Sequence, residues 1–106
     1  MDTPLIQEIK DIHLNPQAIK DAGGEIDKQL LEEHKIILIK KVGELVEKLR
    51  VQVRLERQEK IKKAKKEIKS EDELKQEIKN IERWTEIGEN TINLLEKGKI
   101  KELQDV

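Results

Sequence analysis

The sequence predicts an all-α fold, a long antiparallel helical hairpin or small bundle preceded by two short N-terminal helices. Three observations support it. Apolar residues recur at three- and four-residue steps, Gly43 is the only helix breaker in residues 25–69, and Ser70 begins a typical helix N-terminus. A chain of 106 residues is long enough for one domain. We therefore expect a single helical domain over residues 1–106.

The first 24 residues carry two helix-start signals. Thr3-Pro4 and Asn15-Pro16 each place a capping side chain before a proline, whose missing N–H costs nothing in the first turn. The second helix is short and ends at Gly23-Gly24. The first helix spans about residues 4–13, and its apolar side consists of Leu5, Ile6, Ile9 and Ile12.

Residues 25–69 predict one long basic helix, which would extend about 66 Å at 1.5 Å per residue. A second apolar stripe lies roughly opposite its main seam. The short helices can cover its first part, Ile26, Leu30 and Ile37, but nothing obvious covers Val51 and Leu55. Those two residues are therefore candidates for a protein interface. The main seam consists of Leu31, Leu38, Val42, Leu45, Leu49 and Val53.

Residues 70–97 predict the return helix, and residues 98–106 a tail. Ser70 and Glu73 form a capping box, and the acids at 71–73 suit the positive end of the helix dipole. We interpret Ser70 as the hairpin turn, with a kinked helix as the alternative because the segment has no glycine, and we expect the last helix to stop at Gly98. Trp84 borders the apolar seam, as a core residue or an interface anchor. That seam consists of Leu74, Ile78, Ile81, Thr85, Gly88, Ile92 and Leu95.

The formal net charge of −1 hides an acidic–basic–acidic distribution. Residues 40–69 hold 12 Lys/Arg against 5 Asp/Glu, whereas residues 1–39 hold 4 against 8 and residues 70–106 hold 6 against 10. A basic segment on a helical rod is typical of contact with a polyanion or an acidic protein surface.

The candidate phosphate-binding residues lie along this basic segment. Arginine forms bidentate contacts with phosphate oxygens, and each neutralised phosphate releases condensed counterions. No aromatic residue interleaves with these cations, so contact would be with the backbone rather than stacked bases. Alternatively, Glu77, Glu82, Glu86 and Glu89 of the return helix neutralise the segment inside the hairpin. The candidates are Arg50, Arg54, Arg57, Lys60, Lys63, Lys65 and Lys66.

Catalytic and metal-binding signatures are missing from the sequence. It has no Cys, its single Ser is explained as a cap, and His13 and His34 lack metal-ligand spacing. We expect no enzyme activity, no cofactor, no metal and no small-molecule substrate. No run approaches the ~20 apolar residues of a membrane span, and no leader pattern precedes the first helix. A cytoplasmic protein without membrane contact is therefore expected.

The segment from Arg50 to Lys69, with two short helices before it, resembles the small helical subunits of class 1 CRISPR effector complexes. That resemblance implies a non-catalytic helical bundle that presents basic helices to nucleic-acid strands in an antiviral defence complex. The net charge of −1 and the acidic flanks depart from this pattern. A second similarity, between Glu73 and Glu89, is to the short coiled-coil partners of recombinase mediators.

Two functional hypotheses follow. The first is a non-catalytic subunit of a multiprotein, nucleic-acid-handling complex that contacts the DNA or RNA backbone without reading sequence. In it, Val51, Leu55 and Trp84 would hold neighbouring protein. The second is a coiled-coil adaptor or homodimerisation module that binds only protein, either other subunits or a second copy of itself.

Overall fold

The computed structural model describes residues 3–17 and 28–106, which form an antiparallel helical hairpin with a short helix packed against it. The helices are α1 (Thr3–Lys10), α2 (Lys28–Glu67) and α3 (Glu71–Gln104), and the described residues contain no strand. The molecule measures 67 × 18 × 15 Å. Because 40 residues of helix extend about 60 Å, α2 accounts for most of the long axis. The predicted all-α hairpin is confirmed.

The chain reverses at Ser70, as the capping signal predicts. Ser70 has extended backbone angles (φ −78°, ψ 128°), and its Oγ accepts a hydrogen bond from the Glu73 N–H at 3.4 Å. The Ser70 carbonyl accepts the first helical bond, from the Leu74 N–H at 2.9 Å. A serine cap followed by three acidic residues is therefore enough to start α3 without a glycine in the turn.

The core is aliphatic and lies at one end of the hairpin, which we call the base. Here α2 and α3 pack together and α1 adds the fully buried Ile9. The predicted seam of α2 is confirmed where it is deepest, from Val42 to Val53. The buried cluster consists of Ile9, Val42, Leu45, Val46, Leu49, Val53, Ile92 and Leu103.

The other end of the hairpin, residues 57–84, has little core, and we call it the tip. Among the described residues beyond Val53 on α2 and before Thr85 on α3, only Ala64 and Ile81 are buried apolar residues. The chain is thus a three-helix bundle at its base and a two-helix arm at its tip.

The predicted end of the last helix at Lys97 is wrong, because α3 continues through Gly98 to Gln104. The residues after Gly98 are not a separate tail, since Leu103 is fully buried and Ile100 packs against the core. This tertiary burial outweighs the modest helix-breaking tendency of a single glycine. Helix α1 is shorter than predicted and ends at Lys10 rather than near residue 13.

Two buried lysines bind backbone carbonyls near helix ends. Lys99 Nζ donates to the carbonyls of Lys10 at 2.9 Å and Ile12 at 3.1 Å, where α1 ends. Lys35 Nζ donates to the Gln104 carbonyl at 3.1 Å, where α3 ends. An ammonium group suits these positions because the last carbonyls of a helix have no partner within it.

The second predicted N-terminal helix begins as expected but lies mostly outside the described residues. The Gln17 N–H donates to Asn15 Oδ1 at 3.0 Å, which is a capping bond. The predicted end at Gly23-Gly24 falls outside the described residues, as does Ile26. Ile37 is 63% exposed, so the expectation that the short helices cover it is wrong for the residues described.

Replacing Leu49 should destabilise the fold strongly. Leu49 is fully buried, and removing a buried leucine side chain leaves a cavity, so Leu49→Ala should lower the free energy of unfolding by about 2–5 kcal/mol. Leu55→Ala is the matched control on the same helix, because Leu55 is 55% exposed. Urea unfolding followed by circular dichroism measures both, and equal losses would contradict the assigned core.

Two of the three glycines in the described helices, Gly43 and Gly98, should be replaceable by alanine with a gain in stability; the third, Gly88, is buried. A Cβ added at Gly98 or Gly43 meets nothing within 4 Å. Because glycine costs a helix interior about 1 kcal/mol relative to alanine, Gly98→Ala and Gly43→Ala should each raise the melting temperature. A lower melting temperature for Gly98→Ala would contradict the continuous helix through this position.

Candidate nucleic-acid interface

Two of the candidate arginines bond to side chains of α3, while their own side chains remain 35% and 37% exposed. Arg50 Nη2 donates to Asn93 Oδ1 at 2.8 Å and to Glu96 Oε1 at 3.3 Å. Arg57 Nε donates to the two carboxylate oxygens of Glu82 at 3.1 and 3.2 Å, and Arg57 Nη2 also donates to that carboxylate. These contacts join the two arms of the hairpin on one side.

The third candidate arginine is paired within α2. Arg54 Nη2 donates to Glu47 Oε1 at 2.8 Å, two helical turns earlier, and both side chains are more than half exposed. This pair can open without disturbing the hairpin, since exposed ion pairs contribute little to stability. Of the three candidate arginines, Arg54 can therefore release its carboxylate partner with the least effect on the packing of α2 against α3.

The Arg57–Glu82 contact shifts both titrations. The hydrogen bond from Arg57 holds the pKa of the Glu82 carboxyl below its ordinary value of 4.5, and the same bond raises the pKa of Arg57. Glu82 is one of the acids named in the alternative prediction of internal neutralisation. That alternative is confirmed for Arg57, and Arg50 finds a comparable partner in Glu96.

The lysines of the tip behave differently. Lys62, Lys63, Lys65 and Lys66 are exposed and form no ion pair within residues 3–17 and 28–106. Because α2 turns about 100° and rises about 1.5 Å per residue, Lys62, Lys65 and Lys66 fall within an arc of about 100° and a rise of about 6 Å. This arc lies opposite the buried Ala64, so we call these three residues the outer lysine face.

Lys60 and Lys63 lie on another side of α2, beside Trp84. Lys60 Nζ lies 4.9 Å from the centroid of the Trp84 ring, which is a cation–π contact. The half-buried Trp84 also packs against the core. A cleft of about 400 Å³ lies here between α2 and α3; its lining includes Lys60, Lys63, Ala64, Ile81 and Trp84. Of the seven candidate cations, Lys65 and Lys66 belong to the outer lysine face.

The predicted interface residues of α2 are solvent-accessible. Val51 is 42% exposed and Leu55 is 55% exposed. Val51 also borders an open cleft of about 430 Å³ that includes Leu5 of α1. An apolar surface is therefore available here, and its role as an interface stays a prediction.

The described residues were also compared with the requirements of a metal site and of a membrane-spanning helix. His13 Nδ1 lies 3.1 Å from Glu102 Oε1, and residues 3–17 and 28–106 contain no group of three potential ligands placed to hold a metal ion. None of their helices has an apolar stretch long enough to cross a membrane.

The burial of Lys35 and Lys99 and the partners of Arg50 were not predicted from the sequence. Lys35 and Lys99 sit seven residues from the buried Val42 and Ile92, and this heptad spacing was a signal that could have found them.

Glu82 and Glu102 should contribute stability that acid removes. A hydrogen bond from Lys99 lowers the pKa of Glu102, as the bond from Arg57 lowers that of Glu82. A carboxylate with a lowered folded-state pKa stabilises the fold above its unfolded-state pKa. That stabilisation is lost as the pH falls through the folded-state value, here below about pH 4.5. Glu82→Gln should therefore be less stable than wild type at pH 7, and the difference should shrink toward pH 3.

Urea midpoints across this pH range measure the effect. Glu86→Gln is the matched control, since Glu86 is exposed and forms no ion pair with the described residues. If the difference in urea midpoint between wild type and Glu82→Gln stays constant from neutral to acid pH, the assigned Arg57–Glu82 bond is contradicted.

Comparison with known proteins gives no further information on the site. No protein-family model, curated protein or solved structure matches this chain. Function is therefore inferred from the geometry of the chain itself.

Proposed function

We propose that the chain is a non-catalytic helical subunit of a multiprotein, nucleic-acid-handling complex. The tip of the hairpin would contact the phosphate backbone, and the apolar surfaces would contact protein. The observation that carries the proposal is the outer lysine face, whose ammonium groups extend from a helical arm and form no ion pair with any described carboxylate.

The proposed contact involves the lysines more than the arginines. Arg50 and Arg57 would have to release Glu96 and Glu82 before they could bind phosphate, whereas Lys62, Lys65 and Lys66 have no such partner to lose. A role for the three arginines in phosphate binding stays a prediction that competes with these ion pairs.

Backbone contact without sequence reading fits this surface. Lysine is a flexible point charge that attracts phosphate but does not form the planar bidentate contacts used to read bases. Trp84, the only aromatic residue, is half-buried and carries Lys60 over its ring. A nucleobase could stack there only by displacing Lys60, so stacking is not part of the proposal.

An adaptor that binds only protein is the second candidate. The observation that favours it is the exposure of the α2 residues Val51 and Leu55, together with Ile36 and Ile37 at 66% and 63%. In that case the outer lysine face would dock an acidic protein surface. The two functions differ in whether naked nucleic acid binds at all.

Salt dependence of nucleic-acid affinity tests the proposal. We expect the full chain to bind a fluorescein-labelled DNA duplex at low salt. The logarithm of the affinity should fall with the logarithm of salt concentration with a slope of about −0.9 per phosphate neutralised. Lys62→Gln/Lys66→Gln should reduce the magnitude of that slope by about 2, because two contacts are lost. Single-stranded DNA and RNA, measured in parallel by fluorescence anisotropy, identify the preferred strand type.

Two variants serve as controls. Lys40→Gln/Lys41→Gln removes the same charge from exposed positions at the base of the same helix and should leave the slope unchanged. Arg57→Gln should lower the melting temperature without changing the slope. Failure of duplex and single strands alike to bind at low salt would overturn the proposal in favour of the protein-only adaptor.

A further inference from the structure

Helix α3 carries a second apolar stripe on its outside, in addition to the seam that it buries against α2. Ile87 is 60% exposed and Leu94 is 71% exposed, whereas Ile81 and Ile92 of the seam are buried. The stripe follows alternating three- and four-residue steps, which is the spacing of the contact positions in a coiled coil. It consists of Trp84, Ile87, Thr91, Leu94 and Gly98.

The polar and small members of this stripe suit contact with another helix. The Thr91 hydroxyl already donates to the Ile87 carbonyl at 2.8 Å, so covering Thr91 would leave no unsatisfied donor. Gly98 is exposed, and a Cβ there would meet nothing within 4 Å, so a neighbouring backbone can approach closely.

The charges beside the stripe indicate what kind of helix fits. Among the residues three or four positions from Ile87 and Leu94, the only charged ones are Arg83 and Lys97. Both are exposed, and neither forms an ion pair with a described side chain. With Asn90 between them they form one flank at seven-residue spacing, where coiled coils place the charges that select a partner.

A second copy of the chain is a poor occupant of this stripe. Antiparallel pairing of α3 with itself places Arg83 opposite Lys97 of the other copy, because flanking positions meet their equivalents in that arrangement. Parallel pairing brings together the two lysine-rich tips. Both arrangements juxtapose like charges, which costs binding energy and selects against that partner.

We propose that the outer stripe of α3 binds an amphipathic helix of another protein that carries Asp or Glu along the flank facing Arg83 and Lys97. This inference rests on the proposed role as a subunit, for which it supplies the chemistry of a protein partner. It uses residues outside the outer lysine face, so its test needs no nucleic acid and can fail independently of nucleic-acid binding.

Binding of synthetic helices to the full chain tests the inference. The probes are two labelled peptides with leucine at both coiled-coil contact positions, one with Glu at the flanking positions and one with Lys. We expect the acidic peptide to bind and the basic peptide to bind far more weakly. Ile87→Glu/Leu94→Glu should reduce the affinity of the chain for the acidic peptide by roughly tenfold or more. Arg83→Glu/Lys97→Glu should reverse the preference between the peptides.

Three control variants distinguish binding at the outer stripe of α3 from non-specific binding of the peptide elsewhere on the chain. Ile36→Glu/Ile37→Glu changes two similarly exposed apolar residues of α2 and should leave acidic-peptide affinity unchanged. Lys62→Gln/Lys66→Gln should do the same, which excludes capture by the outer lysine face. Gly98→Ala should raise the melting temperature and reduce the affinity for the acidic peptide. Gly43→Ala should raise the melting temperature and leave that affinity unchanged.

Two outcomes would overturn the inference. One is equal binding of the acidic peptide by wild type and Ile87→Glu/Leu94→Glu. The other is a wild-type dimer in analytical ultracentrifugation that dissociates in the Leu94→Glu variant, because the occupant would then be a second copy.

Discussion

Packing of α2 against α3 at the base, between Val42 and Val53, is the interaction on which the rest of the structure depends. A chain with no Phe, no Tyr and one Trp must build its core from branched aliphatic side chains, and these are concentrated in one half of the hairpin. Helix α1 completes that half with Ile9. The tip lacks an equivalent core, so it projects from the base as two helices joined largely by polar contacts such as Arg57–Glu82.

The cations divide into two groups that net charge cannot distinguish. Lys35 and Lys99 are buried against backbone carbonyls, and Arg50 and Arg57 join α2 to α3. The outer lysine face has no such partners among the described residues. Because a charge already neutralised by its own fold contributes little to attracting a ligand, the second group carries the proposed contact with phosphate.

Both long helices have more than one apolar face, and among the described residues part of this apolar surface is covered neither by α1 nor by the opposite arm of the hairpin. On α3 the buried seam lies beside an outer stripe that contains Ile87 and Leu94, and α2 exposes Val51 and Leu55. A helix that is apolar on two sides usually packs against two neighbours. The positive charges of Arg83 and Lys97 are the reason that the proposed neighbour of α3 is an acidic helix, and the surface proposed for it is distinct from the outer lysine face.

The sequence by itself determined the helical class, the helix start at Ser70 and the faces that form the core. These properties are local, since capping bonds and helical spacing involve residues within a few positions of one another. Only the tertiary structure decided that α3 continues past Gly98 and that Arg57 meets Glu82 while Lys62, Lys65 and Lys66 remain outward. Those outcomes depend on which residues of α3 lie level with each turn of α2, and the packing of the base sets that alignment.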